Sequence, residues 1–198
     1  MRKKLVLIGG GGHCKSCIDV IEQTGLYDII GILDKQDLIG QTVLGYSIIE
    51  TDKQIELLVK EGYEFLITVG QIKSPHLRQA LYDKLSQSKA KMATIISPRS
   101  YVSKHATIGG GSIVMHDALI NADACIGENC IINSKALIEH DAVVGDFCHI
   151  STAAIINGGV EIMQGTFFGS NATSKEYVKT PNQAFIKASS LFLGNTDE

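Results

Sequence analysis

The hydrophobic positions of this chain follow two different patterns, which divide it near residue 92. Between Lys3 and Met92, short apolar runs alternate with segments whose apolar residues recur at helical spacing. From Ile96 onward, an apolar residue recurs at every sixth position without an insertion. We therefore predict two domains, residues 1–92 and residues 93–198. The sixth-position residues are Ile96, Val102, Ile108, Val114, Ile120, Ile126, Ile132, Ile138, Val144, Ile150, Ile156, Ile162 and Phe168.

The first half predicts a small parallel sheet of the Rossmann type, covered by helices. The runs KLVLI, IIGIL and FLITVG are typical of buried strands, and the segments between them have helical periodicity. Gly25 and Gly62 are placed to end helices, and Pro75 is placed to begin one. An alternation of strand and helix favours a parallel sheet, which binds ligands beyond the carboxyl ends of its strands.

The carboxyl end of the first predicted strand carries a glycine run, Gly9–Gly12, that resembles a dinucleotide fingerprint but does not complete it. The position of the third glycine is occupied by Cys14 in one reading and by Lys15 in the other. Backbone N–H groups at the start of the following helix can still hold an anion. Asp34, at the end of the second strand, can accept hydrogen bonds from hydroxyl groups. A nucleotide-binding turn is predicted, and a tight turn without a ligand is the alternative.

The period of six in the second half predicts a β-solenoid. It fits neither a helix nor a hairpin meander, whereas in a solenoid each hexapeptide forms one face and three faces complete a coil of 18 residues. The ladder is expected to end at Phe168, because Ser174 and Thr180 occupy the next positions, and to leave a short C-terminal tail. Small residues expected at the corners precede most rungs by two positions: Ser100, Ala106, Ser112, Ala118, Ala124, Cys130, Ala136, Ala142, Cys148 and Ala154.

The coil length of 18 residues identifies one histidine as a candidate catalytic residue. Residues 18 apart stack about 4.8 Å from each other, so Gly158 is expected directly over His140. A histidine beside a backbone N–H offers the base and the hydrogen-bond donor that acyl transfer requires. Because neighbouring side chains on a strand point to opposite faces, a contact between His140 and Asp141 requires a corner conformation or a neighbouring subunit. His116 lies on another face and is expected to be inactive.

The charge, the apolar segments and the cysteine count of the chain argue against some classes of binding partner and cellular location. A net charge of −3 argues against nucleic acid and anionic membranes. The apolar segment Leu5–Ile8 is too short for a signal peptide or a membrane span, so we predict a cytoplasmic protein without membrane insertion. The odd number of cysteines favours thiols over disulfides, with Cys14 and Cys17 packing a helix. The stacked Cys130 and Cys148 are expected to be reduced wall residues.

The second half resembles the hexapeptide-repeat acyltransferases, whose prism is a left-handed parallel β-helix. With a short Rossmann-like domain in front, the whole chain resembles the sialic-acid O-acetyltransferase and nucleotide-sugar 4-amine N-acetyltransferase family. The segments IGGGGHC and GILDKQD resemble that family's nucleotide-sugar-binding turns. The segment LIEHDAVVGDFCHIS, followed by NGG, resembles its catalytic segment.

This resemblance implies an acetyl-CoA-dependent acetyltransferase without a metal. The histidine matching His140 would be the general base, Asp141 would orient it, and Asn133 would support that network. The residue matching His149 would lie near the acyl donor, and the N–H of Gly158 would bind the thioester oxygen. The acceptor implied is a nucleotide-activated amino sugar of the 4-amino-4,6-dideoxy type, acetylated on nitrogen for surface-glycan biosynthesis.

The resemblance also assigns the sugar nucleotide to the first domain. Gly10, Gly12, His13, Asp34 and Gly70 would bind it, with His13 nearest the reacting group. A homotrimer is implied as well, and outward apolar residues of the solenoid favour it: Leu119, Ile131, Leu137 and Ile155.

Three alternatives remain at this point. An O-acetyltransferase of sialic acid or a related sugar would use the same machinery. A nucleotide-sugar-binding protein without catalytic activity would share the fold. A metal hydrolyase of the γ-carbonic-anhydrase type needs three converging histidines, typically with a close H-x4-H pair, and the sequence contains no such pair.

Overall fold

The computed structural model describes residues 2–194, which divide into two compact units. The first unit comprises the residues up to Gly70 together with His76–Ile95. The second comprises Gln71–Pro75 and the chain from Ile96 onward. The short segment Gln71–Pro75 is therefore inserted in the sequence of the first unit but belongs to the second. The last four residues of the predicted C-terminal tail, 195–198, lie outside the described residues.

The first unit contains a mixed sheet with strand order β3-β4-β2-β1-β5-β6. Its strands pair in parallel except β3 and β4, which are antiparallel. Short 3₁₀ turns occupy Gln36–Leu38 and Asp52–Gln54. The elements are β1 Lys3–Ile8, α1 Gly12–Thr24, β2 Tyr27–Leu33, β3 Thr42–Val43, β4 Tyr46–Glu50, α2 Ile55–Lys60, β5 Glu64–Ile67, α3 His76–Gln87 and β6 Lys91–Met92.

The antiparallel edge differs from the fully parallel sheet predicted from the sequence. Leu44 and Gly45 connect β3 to β4 with positive φ angles of 49° and 89°. Positive φ at both central residues is the geometry of a two-residue hairpin whose twist matches the flanking strands. The signal for this turn is the single glycine in VLGY, which is weak because leucine rarely adopts a positive φ.

The cysteines of α1 serve its packing, as predicted. Cys14 and Cys17 are fully buried together with Ile18 and Ile21 on the face that covers the sheet. Neither thiol is in a disulfide. Burial raises the pKa of the Cys17 thiol far above its usual value, so that group stays a neutral thiol.

The second unit is a left-handed parallel β-helix with three faces. Face 1 is formed by β7 Ile95–Ile96, β10 Ile113–Val114, β13 Ile131–Ile132, β16 His149–Ile150, β19 Phe167–Phe168 and β21 Phe185–Ile186. Face 2 is formed by β8 Tyr101–Val102, β11 Leu119–Ile120, β14 Leu137–Ile138, β17 Ile155–Ile156, β20 Thr173–Ser174 and β22 Leu191–Phe192. Face 3 is formed by β9 Thr107–Ile108, β12 Cys125–Ile126, β15 Val143–Val144 and β18 Glu161–Ile162.

The sixth-position ladder fills the interior of the prism, but its ends differ from the prediction. Ile96 is 41% exposed, because the first coil has no coil beneath it. At the other end the ladder does not stop at Phe168 but continues through Ser174 and Thr180 to further apolar rungs at Ile186 and Phe192.

Hydroxyl groups allow the polar rungs to be buried. Ser174 Oγ accepts a hydrogen bond from the N–H of Asn157 at 2.9 Å, and Thr180 Oγ1 accepts one from the N–H of Met163 at 2.8 Å. Because these hydroxyls are satisfied by the coil below, their burial costs little and the solenoid continues.

The corners of the prism place one residue of each turn in the left-handed region. Asp and Asn are favoured there because their short polar side chains tolerate a positive φ. This conformation interrupts the strand alternation and lets neighbouring side chains meet. The corner residues with positive φ include Asp117, Asp123, Asn129, Lys135, Asp141, Phe147, Ala153, Asn171, Tyr177, Gln183 and Ser189.

The outward apolar residues predicted to face other subunits fall on two faces. Leu119, Leu137 and Ile155 stack along face 2 and are partly exposed. Ile131 lies on face 1 and is fully buried within the chain, so the structure removes it from the predicted subunit contact. Among the described residues, no helix is long and apolar enough to cross a membrane.

Candidate active site

The carboxyl ends of β1, β2 and β5 bring the predicted nucleotide turn together. The N–H of Gly10 donates to Asp34 Oδ2 at 2.5 Å, and the N–H of Lys35 donates to Asp34 Oδ1 at 2.8 Å. Thr68 Oγ1 donates to the carbonyl of Gly9 at 2.7 Å. The carboxylate of Asp34 therefore holds the glycine turn through its hydrogen bond to Gly10, a role that the sequence did not reveal.

His13 and Gly70 lie at the same edge of the sheet. A Cβ added at Gly70 would sit 3.3 Å from the Cβ of His13, so these two turns are in contact. Gly12 begins α1, and no atom lies within 4 Å of the place where its Cβ would be. Its backbone is therefore open to a ligand.

A cavity of about 410 Å³ opens beside the glycine turn, within the first unit. Its walls combine apolar strand ends with charged and hydroxyl side chains, the mixture found in sites for polar small molecules. The lining includes Gly9, Leu33, Asp34, Gln36, Thr51 and Lys53.

His140 and Asp141 form a pair at the corner between faces 2 and 3. His140 Nδ1 lies 2.7 Å from Asp141 Oδ2, and both side chains are largely exposed. Asp141 reaches the imidazole because its φ of 60° turns the backbone at the corner, so the contact forms within one chain. The hydrogen bond to Asp141 raises the pKa of His140. A carboxylate can only accept, so Nδ1 carries the proton and Nε2 of the neutral ring has a free lone pair.

Gly158 lies one coil above His140, as the coil arithmetic predicts. A Cβ added there would sit 2.9 Å from His140 Cε1 and 3.0 Å from Nε2. Only glycine leaves room for the imidazole in this position. The N–H of Gly158 has no hydrogen-bond partner among residues 2–194, whereas the next N–H, that of Gly159, donates to the carbonyl of His140 at 3.1 Å. Gly158, whose N–H is a donor without a partner in this part of the chain, is therefore stacked on the His140 imidazole, which can accept a proton.

His149 and Asn133 form a separate pair, away from His140. His149 is 7% exposed on face 1, and its Nδ1 lies 2.5 Å from the carbonyl oxygen of Gln71. Asn133 Nδ2 lies 3.1 Å from His149 Nε2. Since a carbonyl oxygen only accepts, Nδ1 of His149 donates and Nε2 accepts from the asparagine. Both ring nitrogens are thus engaged within the chain.

Gln71 is a residue of this pair that the sequence patterns do not reveal. It is 3% exposed, and its Nε2 donates to the carbonyl of Phe147 at 2.7 Å. Its neighbours in the solenoid are more than 70 positions away in the chain. No spacing in the surrounding sequence could therefore have predicted the contact of Gln71 with His149.

His116 occupies a comparable corner but a different environment. Its Nδ1 lies 2.6 Å from Ser97 Oγ, and the following Asp117 is bound by Arg99 through both carboxylate oxygens. The neighbour of its Nδ1 is thus a serine hydroxyl, whereas that of His140 Nδ1 is a carboxylate, and the inactivity of His116 stays a prediction.

Known proteins resemble both halves of the chain. Residues 4–85 match the PglD N-terminal domain family. The acetyltransferase domain of PglB from Neisseria gonorrhoeae FA1090, in complex with acetyl coenzyme A, superposes with a TM-score of 0.90 at 26% identity, covering 98% of this chain and 92% of that one. A mutant of perosamine N-acetyltransferase from Caulobacter crescentus, in complex with CoA and GDP-perosamine, gives 0.89 at 29% identity over 96% and 89%.

Residues 4–85 thus match one family model, and the whole chain resembles the hexapeptide-repeat nucleotide-sugar acetyltransferases in structure. No curated protein sequence matches it. Within residues 2–194, no cluster of three or more histidine, cysteine or acidic side chains is arranged to hold a metal ion.

Proposed function

We propose that the protein transfers the acetyl group of acetyl-CoA to the amine of a nucleotide-activated 4-amino-4,6-dideoxy sugar, with His140 as general base. The observation that carries this proposal is the stacking of Gly158 on the His140–Asp141 pair. The structural relatives bound to acetyl coenzyme A, or to CoA and GDP-perosamine, support the choice of donor and acceptor.

In the proposed reaction the sugar amine attacks the thioester carbonyl carbon directly. His140 Nε2 takes a proton from the amine, and Asp141 stabilises the imidazolium through Nδ1. The N–H of Gly158 stabilises the negative charge that develops on the carbonyl oxygen. The carbon–sulfur bond then breaks, the amide forms, and the coenzyme A thiolate leaves and is protonated. No covalent enzyme intermediate is required.

The sugar nucleotide is assigned to the first unit. The cavity beside Gly9 and Asp34 has the size and mixed polarity for a nucleotide, and the open start of α1 at Gly12 offers N–H groups to phosphate. His13, in contact with Gly70, lies on the same edge and would approach the sugar.

Geometry within the solenoid supports a homotrimer. His149 follows His140 by nine residues, half a coil, so it lies on face 1, across the prism from the corner of His140. One chain therefore cannot direct both histidines at the same acyl group. The apolar stack of Leu119, Leu137 and Ile155 offers a surface through which face 2 of one copy packs on another. An active site that uses His140 of one copy and the His149 pair of a neighbour follows from this packing.

We place the reaction in the cytoplasm, as a step in surface-glycan biosynthesis. The free cysteines of the described chain suit a reducing compartment. Acetyl-CoA and sugar nucleotides are both available there.

The decisive experiment incubates the protein with acetyl-CoA and a panel of nucleotide-linked amino sugars, with GDP-perosamine among them, and follows thiol release. We expect release only with a 4-amino sugar, and we expect it to be lost in His140→Ala. His116→Ala is the matched control and should retain turnover. Release with sialic acid or another hydroxyl acceptor, but not with any amine, would show O-acetylation instead. Binding of acetyl-CoA without turnover of any acceptor would contradict the proposed enzyme.

A further inference from the structure

Tyr177 extends the column of corner residues that contains His140. It lies one coil above Gly159, just as Gly159 lies one coil above Asp141. The N–H of Tyr177 donates to the carbonyl of Gly158 at 3.1 Å, so the two corners are directly bonded. The unoccupied N–H of Gly158 and the aromatic side chain of Tyr177 therefore belong to adjacent turns of the same corner.

The ring of Tyr177 packs against the backbone of Gly159. A Cβ added at Gly159 would collide with the Cδ1 and Cε1 atoms of that ring, so only glycine at 159 allows this arrangement. The remainder of the side chain is open, with Tyr177 78% exposed. A large aromatic face is thus presented to solvent one coil above the corner that contains Gly158 and Gly159.

The backbone of Tyr177 is in a conformation that aromatic residues rarely adopt. Its φ is 54°, at a corner position where lower coils have Asp123, Asp141 and Gly159. For a bulky side chain a positive φ is unfavourable. A positive φ is common to the corners of this prism, Phe147 included, so it sets the position of the exposed Tyr177 ring and does not by itself indicate a binding role.

We propose that the Tyr177 ring forms one wall of the site for the thioester end of the acyl donor. The inference rests on the proposed function, in which the donor carbonyl oxygen binds the N–H of Gly158. Adjacent coils are about 4.8 Å apart, so a thioester at Gly158 lies within contact distance of a ring one coil above. Sulfur and methylene groups of the donor pack favourably on an aromatic ring.

This placement predicts a loss of donor binding, not of proton transfer. Tyr177→Gly removes the ring and suits the positive φ, so the prism should remain folded. We expect the KM for acetyl-CoA and the Kd measured by calorimetry to rise by roughly 5- to 10-fold, the range of one aromatic contact. The pH dependence of kcat, set by His140, should not move. Tyr177→Phe keeps the ring and should recover most of the lost affinity.

Tyr101→Ala is the matched control. Tyr101 is another largely exposed ring, but it lies in β8, in the first coil of the solenoid and about four coils below Tyr177. Its removal should leave the KM for acetyl-CoA unchanged. Thermal melting of each variant shows whether the fold is intact.

The outcomes separate the two proposals. A wild-type protein that binds acetyl-CoA, with affinity unchanged in Tyr177→Gly, would overturn the role of Tyr177 and leave the proposed function standing. A wild-type protein that does not bind acetyl-CoA would overturn both. An equal loss in Tyr101→Ala would also contradict a specific wall at Tyr177.

Discussion

Replacing Gly158 by alanine tests the stacking on which the proposed chemistry depends. The new methyl group would sit 2.9 Å from His140 Cε1, whereas ordinary contacts begin at 3.4 Å, so the imidazole must retreat by about half an ångström. The ring is exposed and can move, but its 2.7 Å hydrogen bond to Asp141 lengthens or bends. Misplacement by about 1 Å can cost about 10²-fold in rate, so we expect kcat/KM to fall by roughly 10- to 100-fold.

The fold should tolerate this change. Gly158 does not have a positive φ, and the atoms that its methyl group would meet are the far end of an exposed side chain. The melting temperature should therefore shift by only a few degrees.

A double-mutant cycle identifies the cause of the loss. Thiol release is measured for Gly158→Ala, for His140→Ala and for the combined variant. If the methyl group acts by displacing the imidazole, it should cost little more once His140 is alanine. A full additional loss in the combined variant would instead indicate that the methyl group blocks the donor. Retention of more than half the wild-type activity in Gly158→Ala would refute the stacking argument itself.

Further expectations concern the base, the subunits and the nucleotide turn. His140→Ala should lower kcat by roughly 10²–10⁴-fold without unfolding the prism, whereas His116→Ala should have almost no effect on turnover. The hydrogen bond to Asp141 raises the pKa of His140, which keeps the base protonated up to a higher pH. In Asp141→Asn the rising limb of kcat/KM should consequently move to lower pH, and an unmoved limb would contradict the pairing. Leu137→Asp should dissociate the trimer in sedimentation experiments, and a stable active monomer of the wild type would exclude the shared site. Asp34→Ala should raise the KM for the sugar nucleotide and leave that for acetyl-CoA unchanged, because it releases the N–H of Gly10; a change in the acetyl-CoA constant would reverse the assignment of ligands.

The sequence by itself determined the architecture and the most important contact of the site. A strict period of six fixes which residues lie in the interior and which residues stack, because each coil repeats the same backbone path. Gly158 over His140 follows from a separation of 18 residues, with no knowledge of side-chain packing. The location of the nucleotide-binding turns in the first unit could also be predicted from the sequence, since parallel strands place their carboxyl ends at one edge of the sheet.

Features that depend on contacts between distant segments were decided only by the tertiary structure. Gln71 reaches the carbonyl of Phe147 and covers His149, and no periodicity relates those positions. The burial of Ser174 and Thr180, which extends the solenoid, depends on N–H groups of the coil below.

Local backbone geometry decided the rest. The sequence left open whether Asp141 meets His140 within one chain, and the positive φ at the corner is what permits it. Asp34 could be placed at the nucleotide edge from the sequence, but its bond to the N–H of Gly10 could not. Periodic patterns encode the backbone path, whereas the partners of individual polar groups depend on corner dihedral angles and long-range packing, which a one-dimensional repeat does not contain.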